Sequence, residues 1–208
     1  MLQRYCRRRP RVALPEGVRP LTTQGLLLAA GAGTRMGRPK ALVRDADGTS
    51  WLQRAVEVLL DGGCNGVTVV LGAGADEAVS LLDGLGVDVV VAHEWDEGMS
   101  ASLRSGLEAL AGSDAEAAVV SLVDLPDLTA AVVRRVLSER EGDEALARAS
   151  YHGRPGHPVV LGRAHWAAVA DSAAGDAGAR DYLARHDTVL VECGDLASGV
   201  DVDSRAAG

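Results

Sequence analysis

The chain has no phenylalanine, and only 3% of its 208 residues are aromatic. Its core must therefore be built from aliphatic side chains, mainly Val, Leu and Ala. Its three cysteines, Cys6, Cys64 and Cys193, form no CxxC pair, which argues against a disulfide framework or a zinc ribbon. No apolar run reaches the roughly 18 residues of a membrane span. We expect a soluble, cytoplasmic protein with no membrane association.

Basic residues are also in the minority. The formal net charge is -8 and the pI is near 5.1, whereas nucleic-acid binders usually carry a basic footprint, so we expect no nucleic-acid partner. A small anionic ligand remains compatible with this charge, because a few local donors can hold it. Residues 1–23 are rich in Arg and Pro and predict a flexible basic N-terminal extension, with binding to an anionic partner as the alternative. The remainder, 24–208, predicts one domain.

Lysine is nearly absent. The 21 basic residues are 20 arginines and one lysine, Lys40, which follows a glycine-rich loop. An ammonium is a compact, strongly hydrated point charge, unlike the planar guanidinium fork, so this position predicts a requirement for that charge. Chance under a strong codon bias is the alternative.

Short apolar runs alternate with segments of helical spacing along the chain. This order predicts a three-layer α/β/α sandwich with a mostly parallel, Rossmann-like sheet and right-handed crossovers. Ligands of such sheets bind at the carboxyl ends of the strands. The predicted strands are 25–30, 66–71, 87–92, 117–123, 145–150, 158–161, 188–192 and 199–203, and the predicted helices are 51–61, 75–82, 100–110, 129–140, 163–171 and 177–185.

A glycine-rich loop follows the first predicted strand. Gly31, Gly33 and Gly37 would let the backbone approach a phosphate, and Arg35 and Lys40 would neutralise a polyphosphate. A dinucleotide-binding turn is one alternative, but the spacing is GxGxxxG instead of GxGxxG and Pro39 interrupts the expected helix. A plain surface turn is the other.

Asp124 follows the buried run 117–123. Mg²⁺ prefers oxygen ligands and shares itself with substrate phosphates, so Asp124 is a candidate metal ligand. The alternative is a loop carboxylate that caps the next helix, but Asp127 and Thr129 are better placed as caps.

The segment LAAGAGTRMGRPKAL resembles the signature loop of the MobA-like NTP transferase family, and the rest of the chain resembles its molybdenum cofactor cytidylyltransferase branch. The resemblance implies the sheet of the nucleotide-diphospho-sugar transferase type, with the loop wrapped around NTP phosphates. The nucleotide-binding residues that it implies here are Leu28, Ala29, Ala30, Gly31, Gly33, Arg35, Lys40, Ser100 and Ser102.

The same resemblance implies the metal ligands. Asp124 matches the Asp of the family's D-x-P motif, and GVDVDS resembles its DIDTPEDL segment, which makes Asp203, and then Asp201, the candidate second carboxylate. The two would share a face if 199–203 is a strand. The following RAAG departs from the family pattern, so a frayed acidic tail is the alternative.

Three further segments resemble family motifs. The run EGMSASLRSGL is similar to a segment that meets the base, where Ser102 is the leading candidate and simple helix capping by Ser100 or Ser102 is the alternative. GRPGHPV and GDAGAR are similar to segments on the acceptor side, which implies that His157, Asp176 and Arg180 bind the acceptor. A structural role is the alternative for His157.

The resemblance implies an Mg²⁺-dependent nucleotidyltransferase with Arg35, Lys40 and Asp124 as its catalytic residues. CTP is the favoured NTP, molybdopterin the favoured phosphorylated acceptor, and a molybdoenzyme maturation partner is expected of a monomer or homodimer. Guanylyl transfer to phospholactate, transfer to a sugar phosphate, and a nucleotide-binding regulatory module without turnover are the alternatives. An NAD(P)-binding domain is a weaker one.

Overall fold

The computed structural model describes residues 22–139 and 142–202. The predicted N-terminal extension therefore lies almost entirely outside the described residues, and so does Asp203. In the ranges that the structure describes, no helix combines the length and the apolar character needed to cross a membrane.

Seven strands and six α-helices form the body of the described chain. The helices are α1 (Trp51–Asp61), α2 (Ala75–Ser80), α3 (Met99–Ala111), α4 (Ala130–Ser138), α5 (Trp166–Ser172) and α6 (Arg180–Leu183). The strands are β1 (Thr23–Ala29), β2 (Gly66–Leu71), β3 (Asp88–Val91), β4 (Ala117–Leu122), β5 (Leu146–Tyr151), β6 (Arg154–Gly162) and β7 (Val189–Glu192).

All seven strands belong to one sheet in the order β3-β2-β1-β4-β6-β5-β7. β1 pairs in parallel with both β2 and β4, β2 with β3, and β5 with β7, whereas β6 is antiparallel to both of its neighbours. The predicted mostly parallel sheet is confirmed. The carboxyl ends of β1 and β4 consequently meet at the same edge of the sheet, which we call the upper rim.

Both faces of the sheet are buried, because successive side chains of a strand point to opposite faces. On β1, Leu27 and Ala29 pack with residues of α1, α2 and α4, whereas Leu26 and Leu28 pack with residues of α3, α5 and α6. The predicted three-layer sandwich is therefore confirmed, with aliphatic cores on both sides.

Some element predictions differ from the structure. Residues 199–202 form no strand, so the condition for Asp201 to share a strand face with Asp203 is not met in the described part. Gly199 has a φ of 67°, which is incompatible with an extended strand. The predicted helix 177–185 is reduced to α6, and the predicted loop 31–47 contains two 3₁₀ turns, Thr34–Met36 and Lys40–Leu42.

Candidate active site

The upper rim brings together two loops, in which the residues Lys40 and Asp124 are 84 positions apart in the chain. One begins at Ala30 after β1, and the other begins at Val123 after β4. The amide of Val123 donates to the carbonyl of Leu28 at 3.2 Å, which extends the parallel pairing of β1 and β4 up to the start of both loops. Side chains from the two loops can therefore meet.

The glycine-rich loop is closed by its own backbone. The amide of Lys40 donates to the carbonyl of Gly31 at 3.1 Å, and the amide of Met36 donates to the carbonyl of Gly33 at 2.8 Å. Gly33 has a φ of 57°, and a Cβ built there would overlap the carbonyl oxygen of Arg38. Only glycine fits this position, because the loop doubles back onto itself there.

Lys40 and Asp124 form an ion pair across the upper rim, in which Lys40 Nζ donates to Asp124 Oδ2. The side chain of Asp124 is 7% exposed and that of Lys40 is 18% exposed. A carboxylate buried to this degree is stable only with a close opposite charge or a metal. Lys40 provides that charge here.

The other residues predicted to bind nucleotide occupy different environments. Arg35 is exposed on the 3₁₀ turn Thr34–Met36. The side chains of Leu28, Ala29 and Ala30 are buried in the core. The carbonyl of Ala30 already accepts from the amide of Ala73 at 3.0 Å. Any contribution of these three residues to a ligand therefore runs through the shape of the backbone.

The C-terminal segment 193–202 crosses the upper rim from β7 back to β4. Near its end, the amide of Val202 donates to the carbonyl of Asp124 at 3.0 Å. Before that, Asp127 Oδ2 accepts from the amide of Ser198 at 2.6 Å, and Gly199 lies against the ring of Tyr151. Val202 is thus beside Asp124, and Asp201 is exposed next to it.

Asp127 and Thr129 do not act as the caps that the sequence suggested. Thr129 is the N-cap residue of α4, but its side chain makes no capping hydrogen bond. Asp127 is engaged by the C-terminal segment instead. The tertiary contact with Ser198 replaces the local one.

The amino-terminal end of α3 also lies at the upper rim, since α3 follows β3. Ser100 is buried, and its Oγ accepts from the amide of Gly178 at 3.1 Å, while Asp176 accepts from the amide of Met99 at 3.3 Å. Asp176 therefore caps α3, and the loop 175–178 is fixed to this helix end. Ser102 is buried one turn into α3.

His157 lies near the start of β6, which reaches the upper rim because β6 is antiparallel to β4. It lines a cavity of about 20 Å³ together with apolar residues of β1, β4 and α3. Burial, with the nearby Arg148 guanidinium, lowers the pKa of His157 to about 4, so its imidazole is neutral at pH 7. Arg180 is exposed and pairs with Asp181 at 3.1 Å. Among the described residues, Arg180 donates to Asp181 and Asp176 accepts from the amide of Met99, so these bonds do not join Arg180 to Asp176 or His157.

The comparisons with known proteins agree with this architecture. Residues 25–189 match the model of the MobA-like NTP transferase domain. The chain belongs to the MobA-like NTP transferase family. The predicted family and enzyme class, nucleotidyltransferase, are thereby confirmed.

Individual relatives of this MobA-like transferase span most of its length. It is 38% identical over 191 residues to the nicotine blue oxidoreductase of Paenarthrobacter nicotinovorans, which covers 86% of this chain and 91% of that protein. The crystal structure of the Rv0371c homologue from Mycobacterium sp. strain JC1 is 27% identical, with a TM-score of 0.72 over 88% of this chain and 90% of that one. The manganese complex of Rv0371c from Mycobacterium tuberculosis is 28% identical, with a TM-score of 0.67 over 87% and 94%.

The residues around Asp124 fit a divalent cation that is completed by substrate. Among residues 22–139 and 142–202, no three His, Cys, Asp or Glu side chains cluster as a metal site. Asp124 does present one buried carboxylate at the upper rim, and that carboxylate already holds a cationic group. Magnesium typically takes one or two protein carboxylates and fills its shell with water and phosphate oxygens. The donor set therefore suits a metal that arrives with a nucleotide.

Sequence reasoning missed the anchoring role of Asp127 and the position of Trp95 at the upper rim. Asp127 anchors the segment that ends beside Asp124, and its partner Ser198 is 71 residues away, which no local pattern could show. Trp95 packs over Gly72 and beside Ala30, where a Cβ on Gly72 would meet the indole at 2.5 Å. The glycine at 72, directly after β2, was the available signal for that close approach.

Proposed function

We propose that this chain transfers a nucleoside monophosphate from an NTP, with CTP favoured, to a phosphorylated acceptor, with molybdopterin favoured, and releases pyrophosphate. The observation that carries this proposal is the contact between Lys40 and Asp124 at the upper rim, beside the glycine loop. The Lys40 ammonium, which can bind phosphates, is hydrogen-bonded to the Asp124 carboxylate, which can bind a metal.

The bond changes are those of an in-line displacement. An oxygen of the acceptor phosphate attacks the α-phosphorus, and the bond from that phosphorus to the oxygen that bridges to the β-phosphorus breaks. Pyrophosphate leaves with the bonding electron pair. The acceptor phosphate is already ionised near pH 7, so no side chain has to remove a proton.

The chain's own residues position and neutralise the reactants. Arg35 and Lys40 hold the β- and γ-phosphates and stabilise the charge that develops on pyrophosphate. Asp124 would hold Mg²⁺, with Asp203 or Asp201 as the second carboxylate. When bound, the metal supplies charge neutralisation at the α-phosphate. Manganese is a second candidate metal, because Rv0371c has been crystallised with it.

The residues proposed for the acceptor side are His157, Asp176 and Arg180. In its neutral state, His157 can donate one hydrogen bond and accept another, but it cannot pair as a cation with a phosphate. Asp176 holds α3 at the upper rim and so acts on the site through the helix end. Arg180 is the cation of this set.

Pyrophosphate release from each of the four NTPs, with Mg²⁺ and a panel of phosphorylated acceptors, tests the proposal. CTP with molybdopterin should give the fastest release.

Lys40→Ala should lower the rate ~10²-fold, because it removes a charge-assisted contact worth roughly 2–4 kcal/mol in the transition state. Arg38→Ala removes an exposed cation from the same loop and should change the rate less than about threefold. An Asp124→Asn variant of normal activity would remove the metal assignment.

A redox activity is the second candidate, because one relative at 38% identity is named an oxidoreductase of nicotine blue. The test is the loss of reduced nicotinamide absorbance when nicotine blue is supplied to the purified chain. Turnover in that assay, without pyrophosphate release from any NTP, would favour the redox function. The Lys40–Asp124 pair supports nucleotidyl transfer, since two fixed charges suit a metal-bound polyphosphate.

A further inference from the structure

The Lys40–Asp124 pair places a cation on the carboxylate that we assign to the metal. Nζ donates directly to Oδ2, and the two side chains are largely withdrawn from water. A divalent cation on the same carboxylate would lie close to the ammonium. Two neighbouring positive charges repel strongly in a partly buried site. Lys40 and the metal therefore compete for Asp124.

We propose that Lys40 is a stand-in cation. Its ammonium occupies the Asp124 carboxylate and blocks metal binding there until nucleotide binds. This inference rests on the proposed function. Phosphate groups offer Lys40 another anionic partner, so that its ammonium leaves Asp124 as the nucleotide binds. The carboxylate then becomes available to the metal. We therefore expect nucleotide, either alone or as its complex with the metal, to bind before free metal does.

The local geometry allows this exchange without unfolding the loop. The Lys40 backbone is fixed by the bond from its amide to Gly31, so only the flexible four-carbon side chain has to swing. Gly31 has no side chain to hinder this movement, whereas a Cβ at position 31 would contact the Lys40 side chain, 3.9 Å from its Cδ. The side chain can thus move along the glycine loop on which the phosphates are proposed to bind.

The first test measures Mn²⁺ binding to the nucleotide-free protein, by the free Mn²⁺ signal in electron paramagnetic resonance. Lys40→Ala should bind Mn²⁺ at least tenfold more tightly than the wild-type chain, in the usual range of coupling between sites. Lys40→Arg keeps a cation on Asp124 and should stay weak. Arg38→Ala, which removes an exposed cation two residues earlier, should also match the wild type. In Lys40→Ala/Asp124→Asn the gain should vanish.

The second test uses the fact that Lys40 is the only lysine in the chain. Protein labelled with ¹³C at lysine Cε gives one side-chain NMR signal, which reports this ammonium without any mutation. CTP without metal should move the signal away from its nucleotide-free position. Mg²⁺ alone should move it only at concentrations that saturate the weak site. Asp124→Asn should shift the nucleotide-free signal, because it removes the carboxylate charge that the Lys40 ammonium contacts.

The outcomes separate this inference from the proposed function. If Lys40→Ala binds Mn²⁺ no more tightly than the wild type, or if CTP leaves the lysine signal unmoved, the stand-in role is wrong. Transfer activity that depends on Asp124 could still stand in that case. If no NTP yields pyrophosphate while Lys40→Ala still gains Mn²⁺ affinity, the competition is real and the proposed reaction is wrong.

Discussion

Gly33 illustrates how a single residue shapes the glycine loop. Its backbone is left-handed, and Arg38 O fills the space where a side chain would be. Gly37 has a similar φ of 72° but open space around it. The sequence alone did not distinguish the three glycines of the loop, because their spacing cannot show which one is approached by another backbone atom.

The pair offers a matched test at the residue scale. Gly33→Ala should weaken NTP binding at least tenfold, because the loop has to open to relieve the overlap, whereas Gly37→Ala carries only the cost of a left-handed alanine, about 1–2 kcal/mol. Isothermal titration with CTP and urea unfolding measure the two effects. Equal affinity losses in both variants would show that the close approach at Gly33 does not control the site.

At the scale of elements, the predictable parts were those with a local signal. β2 was predicted at its observed limits, since GVTVVL is a largely apolar run that lies between the turn at Gly62-Gly63 and Gly72. Ser50 caps α1 by accepting from the amide of Gln53, and the spacing of Ser50 and Gln53, three residues apart before an apolar stretch, is a local signal for such a cap. The segment 199–202 alternates like a strand, yet none of the strands in the described part of the chain pairs with it, and it runs across the rim instead. Its course depends on Asp127 and Tyr151, which are distant in sequence.

Removal of the Asp127 anchor should loosen the C-terminal segment. Asp127→Ala leaves the Ser198 amide without its acceptor, and we expect the free energy of unfolding to fall by about 1 kcal/mol. Hydrogen exchange at the Val202 amide, which donates to Asp124, should quicken at least tenfold. Asp127→Asn keeps an oxygen acceptor and serves as the control. Unchanged protection at Val202 in the alanine variant would contradict the anchoring role.

At the scale of the whole molecule, the sequence predicted the three layers and the position of ligands at the carboxyl ends of the strands. It also placed Lys40 and Asp124 after predicted strands, at the end of the sheet where ligands bind, and the structure brings the two into contact. The direct pairing was not predictable. It depends on β1 and β4 being neighbours in the sheet, with 87 residues separating the end of one from the start of the other, and on the burial that leaves Asp124 in need of a cation.

The stability of the whole fold should fall in mild acid because of His157. The pKa of His157 is about 4 in the folded chain and about 6.5 in the unfolded chain. Between these pH values the imidazole is protonated in the unfolded chain and neutral in the folded chain. Stability is full above pH 6.5 and is lost as the pH falls toward 4, by about 2 kcal/mol. Urea unfolding from pH 7 to 4.5 measures this slope.

His157→Gln should flatten the pH dependence in that window. His93→Gln changes an exposed histidine and controls for the loss of one imidazole. A wild-type slope that persists in the His157 variant would contradict the assignment of a neutral, partly buried imidazole.

A crystal structure with Mn²⁺ and a non-hydrolysable CTP analogue tests the central claim most directly. We predict an anomalous manganese peak bonded to an oxygen of Asp124, with Lys40 Nζ moved onto the phosphates along the glycine loop. Nucleotide bound away from that loop, or manganese with no bond to Asp124, would contradict the account.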